Sequence, residues 1–547
     1  MKGTPKSGLA TLVLAIPLAV LVIGVLYPVL VLVLRSLMDS TGVSVGLANY
    51  AAYFTTPGLA TSFYHTLNVG VTVSVAVVVI AYALAFCFTH TRVFGLGACR
   101  YLALLPLYVP SIFFPIGMIY LFGRNGLFSQ VLGIDNIYGW GGIVFGEIVF
   151  TLPHATLLLV TAMRGIDKNL YLAARTLGAS PWRRFFSITV PQTRVGLLRA
   201  FLVSFILVIT DFGIPKVLGG DYSMLATELY MQIIGMQDLT MGSAIGVVML
   251  IPSVLAFALD VWLTRSDSGQ ASAGRYQRPE SQRGRDILAS LIAWCVVLLP
   301  TIIILSAVGA SFVTFWPYDL TPSFDSYSFE NSVYGIQPFY NSLIMAAAAA
   351  IVGMVITFAG GYILVRAGAD RFCSLLYRGL VFLSLGIPGT VLGLSFVFAF
   401  NKPSGVFQAF YGTRAFLVFY CLIHFFAMGH LISAAGLSSL DRRYEDVGKT
   451  LGASRFSTVW RVVIPLRFSV TLEVAFYFFI NAMTTVSGMV FIFAPDNVPA
   501  AVSMLHFTDT GYFPEAAAMG TLILLSTLAA RTLQKLLFSW RHSHEEA

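Results

Sequence analysis

Charge is what this 547-residue sequence has least of: Asp, Glu, Lys and Arg together make up 11%, against about 25% in a soluble globular chain. With 57% hydrophobic residues, that shortage excludes a soluble domain. Extended alternation of apolar and polar residues is also missing, which excludes a transmembrane β-barrel. Cysteine is scarce and unpatterned. Cys87, Cys99, Cys295, Cys373 and Cys421 are odd in number and follow no ligand spacing, which argues against a disulfide framework and a metal site. His154, His424 and His430 are not at metal-ligand spacing either, which argues against a membrane-embedded metalloenzyme. A phosphate-binding loop is lacking too: the one Gly-Lys-Thr run, Gly448–Thr450, has Arg443 where such a loop needs glycine.

What is present is a series of apolar runs, each long enough to cross a hydrocarbon layer of about 30 Å as helix. Runs at 9–34, 67–89, 101–123, 141–163, 196–214, 241–263, 287–312, 341–364, 377–400, 415–437, 469–494 and 516–537 predict an all-α polytopic membrane protein of about 12 transmembrane helices. The first run is too long for a signal-peptide core and lacks a small-residue cleavage site, so it reads as an uncleaved span. Of the 33 Lys and Arg, all but Arg35, Arg124, Lys216, Lys402 and Arg414 fall in alternate connections and at the two ends. Because basic residues stay on the cytoplasmic side, both termini are expected there. The net charge of +8 is therefore a topology signal and not a nucleic-acid signal.

The chain is written twice. "TLGAS" stands at Thr176–Ser180 and again, 274 positions later, at Thr450–Ser454; each copy follows an aspartate by nine residues, Asp167 and Asp441. Thirteen residues after the glycine comes a proline, Pro191 and Pro465. "FYHTL" at Phe63–Leu67 returns as "FYNSL" at Phe339–Leu343, 276 positions on. Between the copies lies 264–286, rich in Gly, Ser, Arg and Gln, which has little to bury and reads as a flexible cytoplasmic linker. Six spans on each side give two halves of the same orientation, related by an axis along the membrane normal. The expected divisions are 1–62 (first span and outer loop), 63–263 (first half), 264–286 (linker), 287–338 (seventh span and outer loop), 339–537 (second half) and 538–547 (tail).

The repeated stretch has the punctuation of two short helices. Asp167 suits an N-cap, Ala173, Ala174 and Arg175 favour helix, and Gly178 falls where a helix ends in a left-handed residue. Ser180 suits the next N-cap, with Pro181 at the first helical position. The second copy repeats Asp441, Gly452, Ser454 and Pro465, with Arg455 in place of the proline. A solvated basic loop would account for the arginines. Apolar residues such as Trp182, Phe185, Phe186, Val459 and Trp460 on a short rigid element point instead to docking into a partner's groove.

At these residues the chain resembles the permease subunits of ABC importers of the type I fold. Their cytoplasmic loop has the pattern Glu-Ala-Ala, three residues, Gly, nine residues, Ile-x-Leu-Pro. Aligned on the glycine, one copy reads Leu172-Ala173-Ala174, Gly178, Ala179, Ser180, Ile188, Val190, Pro191. The other reads Asp446-Val447-Gly448, Gly452, Ala453, Ser454, Val462, Ile464, Pro465. The resemblance covers both halves, as in a fused pair of permeases. It implies that each loop is a coupling helix seated on an ATP-binding-cassette subunit, two in all, which bind ATP and Mg while this chain binds no cofactor. It further implies a periplasmic solute-binding protein, the bacterial inner membrane, and no enzymatic activity in this chain. The role of the leading acid does not carry onto Leu172. "TDFGIPKVLGG" and "MTTVSGMVFIFAPDN" are similar to 2-aminoethylphosphonate permeases, with ferric iron permeases as the alternative.

In that fold the spans after the coupling loops line the pathway, which singles out Thr210 and Asp211 in one half and Thr484, Thr485 and Ser487 in the other. Helix-to-helix hydrogen bonding is the competing role for such hydroxyls. The repeat offset also pairs Arg199 with Glu473 as a candidate cytoplasmic gate, against simple snorkelling to the interface. Asp260 reads as interfacial, and Glu147 as a buried acid without an assigned role. A 12-span secondary transporter is the rival reading. It predicts ion-coupling groups near the midplane and has no need of duplicated amphipathic loops.

Overall fold

The apolar runs become helices because in hydrocarbon every backbone N–H and C=O must be satisfied within the segment. The computed structural model describes residues 8–129, 133, 136–267, 282–330, 332–367, 370–402, 405 and 407–545. The chain begins with α1 (Gly8–Leu21) and α2 (Tyr27–Ser36), joined by one π-helical turn, then α3 (Ala48–Thr55) and the 34-residue α4 (Pro57–His90), which has its proline in the first turn. Next come α5 (Leu96–Ala103), α6 (Phe113–Phe122) and α7 (Trp140–Arg164). Two short helices, α8 (Lys168–Thr176) and α9 (Pro181–Arg184), precede α10 (Arg194–Thr210), α11 (Gly213–Leu218), α12 (Leu225–Tyr230) and α13 (Leu239–Asp267).

The second series opens with α14 (Arg283–Ala310) and an antiparallel hairpin, β1 (Val313–Phe315) with β2 (Asp319–Pro322). It continues through α15 (Gln337–Tyr362), α16 (Arg371–Gly386), α17 (Gly389–Phe400) and α18 (Arg414–Ser438). The short α19 (Arg443–Thr450) and α20 (Arg455–Thr458) then lead to α21 (Phe468–Thr484), α22 (Ala500–Asp509) and α23 (Phe513–Glu545).

Eight helices among the described residues are long and apolar enough to span a membrane, and three bent pairs raise the number to 11. Three of the 12 expected runs are not continuous helix. The run 101–123 is broken: α5 ends at Ala103, a 3₁₀ turn covers Leu105–Tyr108, and α6 starts at Phe113. Pro106 and Pro110 interrupt the backbone ladder there, since proline has no N–H to give. The run 377–400 is bent by 115° between α16 and α17, at Ile387-Pro388. The run 469–494 stops as helix at Thr484. At the expected linker, helix persists to Asp267 and resumes at Arg283; the intervening residues 268–281 lie outside the described residues. The tail from 538 is helical through Glu545.

Two compact units result, and neither is a contiguous half. One comprises 36–329 with 504–521; the other comprises 1–35, 330–503 and 522–547. In the first unit α4 packs on α7 and α10, α10 on α7 and α13, and α14 on α4, α5 and α6. The fit of α14 is close: a Cβ on Gly117 would lie 2.1 Å from the Ile303 carbonyl oxygen, and Ser306 Oγ donates to the Gly117 carbonyl at 3.0 Å. In the second unit α15 packs on α18 and α21, α18 on α16 and α21, and α1 on α15 and α16. Gly24 lets the N-terminal segment approach α18, where an added Cβ would meet Ile423 at 2.3 Å. Each series therefore has the same helix-on-helix plan, but its first spanning helix belongs to the unit built mainly from the other series.

Candidate functional site

The two "TLGAS" loops fold alike. Asp167 accepts from the Asn169 amide at 2.9 Å to start α8, and Asp441 accepts from the Arg443 amide at 3.0 Å to start α19. Gly178 and Gly452 end these helices with φ of 74° each. The amide of Ala179 reaches back to the Ala174 carbonyl at 2.9 Å and that of Gly178 to Arg175 at 3.0 Å. Ala453 and Gly452 repeat both bonds to Gly448 and Lys449 at 2.9 and 3.0 Å. This is the paired closure of a helix end that a left-handed glycine permits. Ser180 Oγ then accepts from the Arg183 amide, and Ser454 Oγ from that of Ser457. After the second short helix, each loop makes a five-residue π turn, Phe185–Thr189 and Val459–Val463. A turn of helix holding Pro191 or Pro465 follows. The chain then bends by 62° into α10 and by 78° into α21.

The surfaces match as well as the backbones. Leu177 is 86% exposed and Leu451 79%. At the same 274-residue offset, Leu170 and Tyr444, Trp182 and Phe456, and Phe186 and Trp460 are exposed pairs. Eight exposed apolar side chains at matched positions exceed what a solvated loop needs. The loops differ on the helix before the glycine: Leu172 is exposed and apolar, whereas Asp446 accepts an exposed bond from Lys449 Nζ at 2.9 Å. Of the remaining residues expected here, Ala173, Pro191 and Pro465 are exposed and Ala174 and Ala179 half-buried. Tyr171, on α8, bonds Thr189 Oγ1 at 2.8 Å, and burial pushes its phenol above the usual range.

The pathway candidates all lie where α10 and α21 end. Thr210 Oγ1 donates to the Leu207 carbonyl at 3.2 Å and Thr484 Oγ1 to that of Ile480 at 3.0 Å, so both hydroxyls bond their own helices. Asp211 Oδ2 accepts from the Ile214 amide at 2.9 Å and caps α11. Thr485 and Ser487 are half-buried. In each series the segment after this span lies against the break of the third: a Cβ on Gly213 would meet Ser111 Oγ at 2.4 Å, and one on Gly389 would meet Ser487 Oγ at 2.3 Å. Glu147, fully buried on α7, lies beside Asp211, so the unassigned acid of the sequence belongs to this junction. No sequence spacing joins residues 111, 147 and 211.

Of the charged candidates, Asp260 comes out differently from expectation. Arg199 Nε donates to Asp260 Oδ1 at 2.9 Å, so Asp260 holds α13 to α10 instead of merely marking the interface. Glu473 is exposed on α21. Arg199 thus has an acidic partner inside its own unit, and the expected gate pairing would have to compete with it. Among the described residues, His, Cys, Asp and Glu form no group of three or more that could hold a metal ion.

With two copies of one helix plan and two copies of one loop in hand, comparison with known families is decisive. The model for the binding-protein-dependent transport system inner membrane component matches residues 78–266 and again 358–540, more than half of the chain. The chain belongs to this family. It carries the family's domain twice, each copy running from the second span of a series past its "TLGAS" loop. Among relatives, the ferric transport system permease protein of Actinobacillus pleuropneumoniae is 28% identical over 447 residues, 79% of this chain and 64% of that protein. A Haemophilus influenzae protein named for a ferric transport system is 27% identical over 429 residues, 75% and 66% of the two chains. A Sinorhizobium fredii protein named as an ABC transporter permease is 24% identical over 482 residues, 83% and 82%. The chain spans about two thirds of the length of the two ferric relatives.

Proposed function

We propose that this chain is the membrane-spanning subunit of an ATP-driven importer. Two ATP-binding-cassette subunits dock on it, one per coupling loop, and a periplasmic binding protein delivers a small solute to its outer face. The observation that carries the reading is the pair of loops with one backbone turn and matched exposed apolar side chains, among them Leu177 and Leu451. Both loops and both termini are assigned to the cytoplasmic side of a bacterial inner membrane by the placement of Lys and Arg. ATP and Mg belong to the partners. Replacing Leu177 and Leu451 by glutamate tests the docking: each change weakens co-purification of the ATPase subunits, and both together abolish it. Undiminished co-purification of the double variant overturns the reading.

The cargo we propose is ferric iron. Two relatives, each matching three quarters or more of this chain, are named for ferric transport, and this supports iron over the 2-aminoethylphosphonate suggested by the stretches around Asp211 and Ser487. In this reading the periplasmic binding protein sets the specificity. Calorimetry of the cognate binding protein against ferric iron and 2-aminoethylphosphonate decides between the two. Tight binding of the aminophosphonate with none of iron reverses the assignment and leaves the importer reading standing.

A further inference from the structure

One strip of α4 contacts the first coupling loop at three places, Tyr171, Phe185 and Thr193. Tyr82, Phe86 and His90 are four residues apart and so lie on one face. Tyr82 Oη bonds Thr193 Oγ1 at 3.0 Å, at the bend into α10. Phe185, from the π turn, sits edge-on to Tyr82 and Phe86 at 5.9 and 5.5 Å. His90 stacks on Phe86 and bonds Tyr171 Oη of α8 through Nε2 at 3.1 Å. Tyr171 Oη in turn meets Thr189 Oγ1 at 2.8 Å. Thr189 is 1% exposed and Thr193 fully buried.

The hydrogen bonds have one consistent direction. Thr89 Oγ1 donates its single proton to the Ala85 carbonyl at 2.7 Å, so at its 2.8 Å contact with His90 Nδ1 it can only accept. With that assignment of the Thr89 proton, the imidazole carries its hydrogen on Nδ1 and Nε2 is the acceptor. Tyr171 donates to Nε2, which leaves its oxygen to accept from Thr189. Thr193 Oγ1 donates to the Thr189 carbonyl at 2.7 Å and accepts from Tyr82. Tyr171 and Thr193 each donate once and accept once in this arrangement, and removing either leaves a partner unpaired.

The second loop is held by other means. At the 276-residue offset, the strip on α15 and the π turn after it reads Phe358, Tyr362 and Arg366. Phe358 and Tyr362 pack with Leu437, Leu440, Val463 and Ile464. Arg366 donates to the carbonyls of Leu437, at 2.6 and 3.1 Å, and Leu440, at the end of α18, where a cation also meets the negative end of the helix. Where the first loop has Tyr171, Thr189 and Thr193, the second has Glu445, Val463 and Arg467.

We infer that the Thr189–Tyr171–His90 chain is a positioning relay that makes the first coupling loop turn as one body with the end of α4 and the hinge at Thr193, while the second loop relies on apolar packing and Arg366. Its consequence for transport rests on the importer reading, so two readouts are needed. In the purified full chain, Tyr171→Phe and His90→Leu speed amide exchange over 182–193 by about ten-fold, the loss of one buried hydrogen bond and the pairing it satisfied. His90→Gln, which restores an acceptor at the position of Nε2, stays within about two-fold of wild type. Exchange over 456–467 is unchanged in all three. In the assembly with ATPase subunits and binding protein in proteoliposomes, Tyr171→Phe and His90→Leu lower solute moved per ATP by about three-fold or more, and His90→Gln does not. Wild-type exchange in Tyr171→Phe overturns the relay. So does exchange in His90→Gln as fast as in His90→Leu, since the ring's shape would then matter and its acceptor would not. If the wild-type assembly shows no ATP-driven uptake, the importer reading fails, and the exchange result alone decides the relay.

Discussion

Gly178 and Gly452 are 274 residues apart and share one backbone conformation, φ 74° at each, with open space where a Cβ would point. Substitution there meets no steric obstacle, so its cost is conformational alone. Alanine at either position is expected to destabilise the local helix end by about 1 kcal/mol, with valine costing more and asparagine less. Amide exchange of residues 174–180 or 448–454 reads this directly. Equal protection in the alanine and glycine forms would remove the turn from the account of the loops.

Glycines at the junction with the third-span break behave oppositely. A Cβ on Gly488 would lie 2.0 Å from Tyr420 Oη and 2.3 Å from the Gly389 carbonyl oxygen; one on Gly393 would lie 2.3 Å from the Gly488 carbonyl oxygen. Backbone cannot retreat as a flexible side chain can, so Gly488→Ala and Gly393→Ala are expected to cost about 3 kcal/mol each. Gly379→Ala, with nothing within 4 Å, serves as the control. Thermal unfolding of the three variants in detergent checks the order.

The two "TLGAS" loops were legible because their determinants are local. Asp167, Gly178, Ser180 and their repeats at 441, 452 and 454 set caps and turns within a few residues of themselves. The broken third spans were less so. Hydropathy is continuous across 101–123 and 377–400, and only Pro106, Pro110 and Pro388 betray the interruption. The junction of Ser111, Glu147 and Asp211, the Arg199–Asp260 bridge and the strip Tyr82–Phe86–His90 depend on which helices meet. That pairing is tertiary, and a single chain's spacing does not encode it.

The pathway candidates separate into structural and functional parts by conservative substitution. Thr210 and Thr484 spend their hydroxyls on their own helices, so Thr→Val is expected to change stability by only about 0.6 kcal/mol. A fall in uptake without a fall in stability would then mark contact with cargo. Asp211→Ala loses the cap on Ile214 and costs about 1 kcal/mol, whereas Asp211→Asn keeps an acceptor and removes the charge. Uptake lost in both variants, with stability kept in Asp211→Asn, isolates the charge. Uptake retained by both variants confines Asp211 to capping.

Acid should loosen two loop turns. Asp39 Oδ1 accepts from the Thr41 hydroxyl and the amides of Thr41 and Val43, and Asp319 Oδ1 from the hydroxyl and amide of Thr321. These bonds, the threonine hydroxyl first, hold both carboxyls below their usual value. A depressed folded-state value means the contribution is fully present above the unfolded value of about 3.9 and is lost as pH falls through the lower folded one. Exchange of the Thr41 and Thr321 amides, corrected for intrinsic rate, should rise only below that range. Asp319→Asn should flatten the response at Thr321.

The exchange of first helices makes a sharper demand on the chain. The unit containing α4, α7 and α10 includes α14, and the unit containing α15, α18 and α21 includes α1 and α2. Cutting the gene between 267 and 282 therefore yields two fragments that each carry a full series yet each lack a helix their own core requires. Without α14, Gly117 loses its close fit to Ile303 and the bond from Ser306; without the N-terminal segment, Ile423 loses the contact at Gly24. Neither 1–267 nor 282–547 alone is expected to give a monodisperse, cooperatively melting species, and co-expression of the two should restore one. Fragment 36–329, which supplies α14, should be better folded than 36–267. A fragment 1–267 that melts cooperatively by itself would mean that the exchanged helix adds little. The two series would then be independent halves after all.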